Sequence, residues 1–471
     1  LPDVYPQAVI SVELNDRNQD DMGITLVSKS PKDFTEKLDF IKKNINENIF
    51  DDAPLGFKLK GIYPFKKKHN YKGKVGFVFP GQGSQYVDMM RDLAMKYDVV
   101  MDTFKEADKI LEKMIGVTLT DTLWSKPGET KEQLAERENA IKQTQMTQPA
   151  VMTADMAMFR LLMSFGVKPD MVIGHSLGEY AAATAAGIFD LENGLRAVTS
   201  RAKEMSNVKV KDPGKMASIS WPYEKVEEQL KKVKGYVVAA NKNCPIQTVI
   251  AGEKEAVDEA VNLFKALGVQ TQDVAVSHAF HSEIIRPAIG PYREFLNKIP
   301  ISSWNIPIIS NVTADFFPKE KEAIYDLLVT QMVSPVEFIN QLKKMYDEGV
   351  RIFIECGPKR ILSSLVKETL KDKDDIFILS TNHPKRGGIY DFNDAIANLL
   401  TVNFNLNWSD KYIKPDSKFY NPYYLNWALK TVASNKEQVT SSETEDSKTV
   451  ESEKGQVTSQ KTEDREGVEA S

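Results

Sequence analysis

The sequence predicts an α/β fold in which a large subdomain with a mainly parallel sheet carries a small inserted subdomain and follows an N-terminal mixed α/β unit. Three observations carry this expectation. From Val75 to about residue 400, short apolar runs alternate with amphipathic helical stretches, the pattern of strands joined by crossover helices. An apolar run, a G-x-S-x-G turn and an Ala-rich stretch follow one another over residues 169–182. Over residues 212–276 three strand-like and two helix-like runs suggest a β-α-β-β-α-β order, which is a ferredoxin-like arrangement.

The elements can be justified in chain order. Residues 1–72 form the N-terminal unit, with strands at Val9–Val12 and Gly23–Val27. Ser30-Pro31 opens a helix, because Phe34, Leu38, Ile41 and Ile45 recur near helical spacing. Lys66 to Asn70 make a polar boundary. The larger candidate region then spans residues 73–400. Its clearest buried strands are Val75–Phe79, Met171–Ile173, Ile306–Ser310 and Ile352–Ile354. Inside the insert, Met216–Ser220, Tyr236–Ala240 and Thr248–Ala251 read as strands, and Glu224–Val233 and Glu255–Leu267 as helices. Residues 401–433 follow and are expected to be a linker. From Ser434 to Ser471 the chain is mostly Ser, Thr, Glu, Lys and Gln, and Gln438-Val439-Thr440-Ser441 recurs at Gln456-Val457-Thr458-Ser459. Such a tail buries too little apolar surface to fold and is expected to be a disordered linker.

Composition narrows the function classes. Of 471 residues, 42% are hydrophobic and 27% charged, with a formal net charge of -5. That leaves no basic footprint for nucleic acid. No apolar run approaches the length of a membrane span. Cys244 and Cys356 are the two cysteines and stand in no C-x-x-C pair, so neither a thiol metal site nor a disulfide framework is expected. The chain begins at Leu1 without a signal peptide and is expected to be an excised or processed piece, cytoplasmic by default.

The chemistry starts at Ser176. Gly174-His175-Ser176-Leu177-Gly178 follows an apolar strand and precedes a helix, the context of a nucleophile elbow and of an α/β-hydrolase-like large subdomain. The glycines leave room for a tight turn. The turn sets the serine at a helix N-terminus, where backbone N–H groups favour a developing oxyanion. A serine needs an adjacent base, and the chain has five histidines. His175 is expected to point away from Ser176. His69 lies in the Lys-rich boundary and His383 in a polar turn, which leaves His278 and His281. Gly81-Gln82-Gly83 lacks the Gly-Lys-Ser/Thr ending of a phosphate loop.

Three motifs occur in order: Val78-Phe79-Pro80-Gly81-Gln82-Gly83-Ser84-Gln85, then Gly174 to Glu179, then His278-Ala279-Phe280-His281-Ser282. Together they resemble the malonyl-CoA:ACP transacylase family, in the form of acyltransferase domains of polyketide- and fatty-acid-type synthases. The resemblance implies that His281 is the base, oriented by the backbone carbonyl of Gln331. It implies an oxyanion hole from the N–H groups of Gln82 and Leu177, and Arg201 as the clamp on a malonyl carboxylate. An arginine fork suits that task. His278, Phe280, Gln148, Asn241 and Asn243 match pocket positions, and Phe280 with Leu177 resembles malonyl-selective members. No bound cofactor or metal is implied. The substrate is malonyl-CoA, and the acceptor is the phosphopantetheine of an acyl carrier protein. Residues 1–72 resemble a ketosynthase-to-acyltransferase linker, which makes a ketosynthase a second partner. Asn421-Pro422-Tyr423-Tyr424 resembles the segment returning to it with altered wording.

Three other readings share the elbow. A hydrolase that proofreads thioesters needs no carboxylate-binding arginine. A non-catalytic docking module needs no intact Ser176, His281 and Arg201. A loading domain would take another acyl group, acetyl or methylmalonyl. One methyl is worth only about 1–3 kcal/mol in a pocket, so Phe280 expresses a preference.

Overall fold

The computed structural model describes residues 8–14, 22–45, 47–50, 53–66, 73–402 and 404. The expected linker and tail beyond residue 404, the Lys67 to Asn70 boundary and His69 lie outside the described residues. The described residues fall into two compact units, 8–66 and 73–404.

In the first unit, strands β1 (Ala8–Leu14), β2 (Met22–Ser28) and β3 (Ile62–Lys66) form one antiparallel sheet in that order. A helix spans Pro31–Asn44, and Ser30 caps it by accepting from the Asp33 N–H at 3.1 Å. Ile24, Leu26, Ile41, Ile49, Phe50, Phe57 and Ile62 make the unit's own core. Lys66, read as part of a polar boundary, ends β3.

The second unit is built on a parallel sheet of β4 (Lys74–Phe79), β5 (Met171–Gly174), β10 (Val350–Glu355) and β11 (Phe377–Ser380), in the order β11-β10-β4-β5. Successive side chains alternate between its faces, with one register shift in β10 between Val350 and Ile352. Val75, Phe77, Phe79, Val172, Ile352 and Ile354 enter the larger core. Val78, Met171, Ile173, Val350 and Phe353 enter a second core beneath it. Burial on both sides explains the near-continuous apolar strands. The expected strand at Ile306–Ser310 is reduced to bridges from Ile308 to Val172 and from Ile309 to Phe316. Pro307 has no N–H to give, although its carbonyl accepts from Val172 at 2.9 Å.

The insert consists of β6 (Lys215–Ile219), β7 (Val237–Cys244), β8 (Gln247–Gly252) and β9 (Thr271–Val274), with helices Tyr223–Leu230 and Lys254–Ala266. All pairs are antiparallel, in the order β7-β8-β6-β9. This is the ferredoxin-like order. Ala217, Ile219 and Ile250 pack under the two helices, while Met216, Ala240, Val249 and Ala251 join the larger core of the parallel sheet. The ladder of β7 against β8 slips at Ala239/Asn241 and again at Lys242/Cys244. Bulges of this kind re-aim side chains.

Asp155 is an unusual core residue. It lies on the long helix Thr144–Ser164, fully buried, and neither carboxylate oxygen has a partner among the described residues. A Cβ on Gly357 would come within 2.1 Å of its Oδ1. Burial, then the charge of Glu355, holds this carboxyl well above the usual range. The folded protein therefore keeps a proton that the unfolded chain releases, and stability falls as pH rises above about 4. Asp155→Asn is expected to raise the thermal midpoint at about pH 8, and by less at about pH 5. Thermal scans at both values check this, and an unchanged midpoint at the higher pH would count against it.

Candidate active site

Tight packing creates the elbow. β5 ends at Gly174 and a helix spans Gly178–Ala185. A Cβ on Gly174 would lie 2.0 Å from the Gly178 carbonyl carbon, and one on Gly178 would lie 2.1 Å from the Phe79 oxygen. No side chain fits at either place. Between them Ser176 adopts a φ of 52°, a left-handed conformation that costs a non-glycine residue about 1–3 kcal/mol.

The strained serine faces a strained histidine. Ser176 Oγ lies 2.6 Å from Nε2 of His281, whose φ is 58°. His281 leaves the insert on the loop after β9, and its own N–H donates to the Met332 carbonyl at 3.2 Å. Nδ1 of His281 lies 3.1 Å from the carbonyl oxygens of both Gln331 and Ser334. Carbonyls only accept, so Nδ1 carries the proton and Nε2 presents its lone pair to the serine hydroxyl. The family resemblance implies the Gln331 carbonyl but gives no sign of Ser334. Burial, followed by the charge of Arg201, lowers the His281 imidazole from its ordinary 6.5 to about 3. The imidazole is thus neutral at physiological pH.

Arg201 lies on the helix Leu191–Ser206 and is 1% exposed. Its Nη1 donates to Gln148 Oε1 at 2.9 Å and its Nη2 to Gln331 Oε1 at 3.1 Å. The guanidinium sits 5.3 Å from the centre of the Tyr180 ring. Among the described residues its Nε has no partner and no carboxylate lies within ion-pair distance. The Gln331 side chain also donates from Nε2 to the Ser176 carbonyl at 2.6 Å. Gln148, Arg201, Gln331, Ser176 and His281 are therefore one connected set.

Other expected residues frame this set. Gly81 packs so closely on the elbow that its Cβ would fall 2.4 Å from the His175 carbonyl oxygen and 3.5 Å from the Leu177 nitrogen. The backbone beside Gln82 thus reaches the start of the elbow helix. Gln82 Nε2 donates to Thr144 Oγ1 at 3.4 Å, and Lys359 Nζ to the Gly83 carbonyl at 2.8 Å, which tethers the loop. Asn243 occupies the second bulge of β7 and its Oδ1 lies 2.8 Å from His175 Nε2. The His175 ring also packs edge-on against Phe338, turned to partners other than Ser176. Asn241, in β7 after the first bulge, bridges to Val336. His278 is engaged elsewhere: its Nδ1 lies 3.1 Å from Ser277 Oγ and its Nε2 3.3 Å from the Val208 carbonyl. Phe280 is buried in the larger core. A further residue absent from the sequence reading is Asn311, whose Oδ1 accepts from the Ser176 N–H at 2.7 Å. No local pattern marks it, since the partners are far apart in sequence. Cys244 and Cys356 are buried and free, and no metal-holding cluster exists among the described residues.

A strand–turn–helix serine, a neutral histidine and a buried arginine form an arrangement able to transfer acyl groups. The family model of the acyl transferase domain matches residues 76–402. The chain belongs to that family. It is 34% identical over 300 residues to a malonyl CoA-acyl carrier protein transacylase of Bacillus subtilis, covering 63% of this chain and 90% of that one. The acyltransferase domain from the second module of the salinomycin polyketide synthase superposes with a TM-score of 0.67 at 28% identity, over 79% of this chain and 85% of that one. A malonyl-transacylase solved in complex with its type II polyketide synthase acyl-carrier protein superposes with a TM-score of 0.61 at 31% identity, over 70% of this chain and 100% of that one. No helix of this acyl transferase family member, among the described residues, is long and apolar enough to cross a membrane.

The neutral imidazole sets a pH expectation. Labelling of Ser176 by a fluorophosphonate is expected to keep its rate from about pH 7 down to about pH 5, where an ordinary histidine is mostly protonated. Stability runs the other way: below about pH 6.5 the unfolded chain gains a proton that folded His281 refuses, so folding weakens toward acid. Initial labelling rates on protein checked for folding settle the matter, and a half-maximal rate near pH 6.5 would contradict a buried neutral base.

Proposed function

We propose that this acyl transferase moves a malonyl group from malonyl-CoA, through an ester on Ser176, to the phosphopantetheine thiol of an acyl carrier protein. The observation that carries the reading is Arg201. Keeping a guanidinium buried without a carboxylate partner costs several kcal/mol, and here it is held by two amide oxygens beside the serine–histidine pair. A receptor of that kind suits an acyl group ending in a carboxylate. The carrier-protein acceptor is supported by likeness to the transacylase solved with its carrier protein.

His281 Nε2 takes the Ser176 proton as Oγ attacks the thioester carbonyl. The N–H groups of Leu177 and Gln82 receive the oxyanion. The C–S bond breaks, and the CoA sulfur leaves with the proton from His281. The carrier thiol then gives its proton to His281 and attacks the seryl ester, and Ser176 departs with that proton. Arg201 holds the malonyl carboxylate throughout, with Gln148 and Gln331 fixing its fork. Asn241, Asn243, His278 and Phe280 are read as pocket walls, with bulky Phe280 crowding an α-branch. No bound cofactor is needed. Residues 1–72 and 401–433 are read as linkers to a ketosynthase, with 434–471 a further tether, and the compartment as the cytoplasm.

Arg201 also acts on the base, because its charge is the second cause of the low His281 pKa. A carboxylate paired with Arg201 cancels that charge, so the base strengthens once malonyl is bound. The acid limb of kcat with malonyl-CoA is expected at higher pH than that of kcat/KM, whereas with acetyl-CoA the two should coincide. Coincident limbs for both substrates would remove this coupling.

Mass measurement of the acyl-enzyme, with malonyl-, methylmalonyl- and acetyl-CoA in competition, tests the whole reading. Malonyl-enzyme is expected to dominate, and Ser176→Ala to give none. Arg201→Ala should slow malonylation by about a hundredfold or more, since two charge-assisted hydrogen bonds are lost, and shift preference toward acetyl. An adduct that persists in Ser176→Ala, or rapid hydrolysis with no transfer to any carrier protein, would overturn it.

A further inference from the structure

The elbow's conformation is held from outside by a residue that the serine–histidine–arginine set does not include. Asn311 follows the Ile308–Ile309 bridges and is fully buried. Its Oδ1 accepts from the Ser176 N–H at 2.7 Å, and its Nδ2 donates to the Gly174 carbonyl at 2.6 Å. The amide orientation is fixed by chemistry, because an N–H can only donate and a carbonyl can only accept. The two bonds bracket His175 and close a ring that ends on the strained Ser176.

Asn311 is itself immobilised. Its N–H donates to Glu179 Oε1 at 2.6 Å, and its carbonyl accepts from the Glu337 N–H at 2.8 Å. Nδ2 also lies 3.4 Å from Gln341 Oε1, and Gln341 Nε2 donates to the Ile309 carbonyl at 2.8 Å. All four polar groups of Asn311 are thus in use, with Glu179 on the helix Gly178–Ala185 and Glu337 immediately before the helix Phe338–Asp347. A side chain pinned this way can impose a conformation on a neighbour that would otherwise relax. Ser176 is that neighbour, at a φ of 52°.

We propose that Asn311 is a positioning residue for acyl transfer, clamping Gly174 and Ser176 so that the serine hydroxyl meets His281 while the next backbone N–H, that of Leu177, stays turned toward the oxyanion. Asn311 touches neither the acyl group nor the base. Its loss should act on the reactivity of Ser176 and leave the Arg201 receptor intact. The inference rests on Ser176 being the nucleophile proposed above, but not on the acyl group being malonyl.

The test compares Asn311→Ala and Asn311→Asp with the unaltered protein. An aspartate can still accept from the Ser176 N–H but sets an oxygen against the Gly174 carbonyl, so it keeps the shape and loses one bond. Two readouts are needed. One is the second-order rate at which a fluorophosphonate labels Ser176. The other is malonyl-CoA affinity by calorimetry in a Ser176→Ala background. The expected result is a fall in labelling of about tenfold or more, as misplacement of a reacting group produces, with affinity changed by less than about threefold (under 1 kcal/mol). If Asn311→Ala does not fold, Asn311→Asp carries the comparison, with circular dichroism reporting folding. Labelling within about threefold of the unaltered protein in a folded variant would overturn the proposal. So would a parallel fall in rate and affinity, which marks a general loss of structure. An unaltered protein that labels normally but does not bind malonyl-CoA would refute the malonyl reading while the labelling comparison still decides the role of Asn311.

Discussion

The carbonyl oxygen of Gln331 lies 3.1 Å from Nδ1 of His281, its side-chain amide nitrogen 2.6 Å from the Ser176 carbonyl, and its side-chain oxygen 3.1 Å from Nη2 of Arg201. One residue thereby touches the His281 imidazole, the Ser176 backbone and the Arg201 guanidinium. Each bond uses a different atom, so the three groups are fixed relative to one another and not merely placed in one cavity. The residue is 1% exposed, which removes water as a competitor for these bonds. A change of glutamine to glutamate would turn the donor facing Ser176 into an acceptor, and a change to alanine would free Arg201 from one of its two oxygens. The rest of the site is built around this point.

The electrostatics follow from what stands behind the histidine. Two carbonyls orient the imidazole and select its tautomer, as a carboxylate would, but they bring no full charge. With burial against it and Arg201 beside it, the imidazolium is disfavoured in the free site. Glu179 answers part of this imbalance. It is fully buried, and desolvation raises its carboxyl to about 7 despite the Asn311 N–H and the charge of Arg201. One buried cation and one buried, weakly held anion thus share the region, and neither is paired in an ion pair among the described residues. Such an arrangement is poor for stability. It suits the role proposed for Arg201, in which a malonyl carboxylate would complete the charge balance.

What the sequence discloses is what is local. The elbow was legible because strand, glycine spacing and helix are contiguous, and the two glycines have a steric reason that needs no partner. The insert was legible because its strands and helices alternate within about sixty residues. The strand at Ile306–Ser310 was overread, since apolarity says nothing about which N–H groups find a carbonyl, and Pro307 has none to offer. Asn311 and Ser334 were invisible for a different reason. Each acts through contacts across more than fifty residues of chain, and an asparagine after an apolar run looks like an ordinary turn residue. Asn243 was placed near the pocket by likeness, yet its bond to His175 depends on a bulge in β7 that no pattern announces.

The two subdomains contribute unequal parts, and the seam between them explains the arrangement. The serine rides on the parallel sheet, while the histidine sits on the loop that leaves the insert after β9. A pair 2.6 Å apart on two subdomains needs the seam to be rigid. The segment from Gln331 to Glu337 supplies that rigidity. It accepts the His281 N–H at Met332, holds His281 Nδ1 at Gln331 and Ser334, bonds β7 through Val336 on both sides, and donates to Asn311 from Glu337. Meanwhile Asn243 reaches out of β7 to His175, next to Ser176. The insert is therefore stitched to the elbow from both directions, by backbone bonds on one side and a side-chain bond on the other. Two residues in left-handed backbone conformations persist at the centre because the structure around them leaves no alternative. The strain is thus held by the seam, which is why residues remote from the chemistry, such as Val336 and Asn243, bear on it.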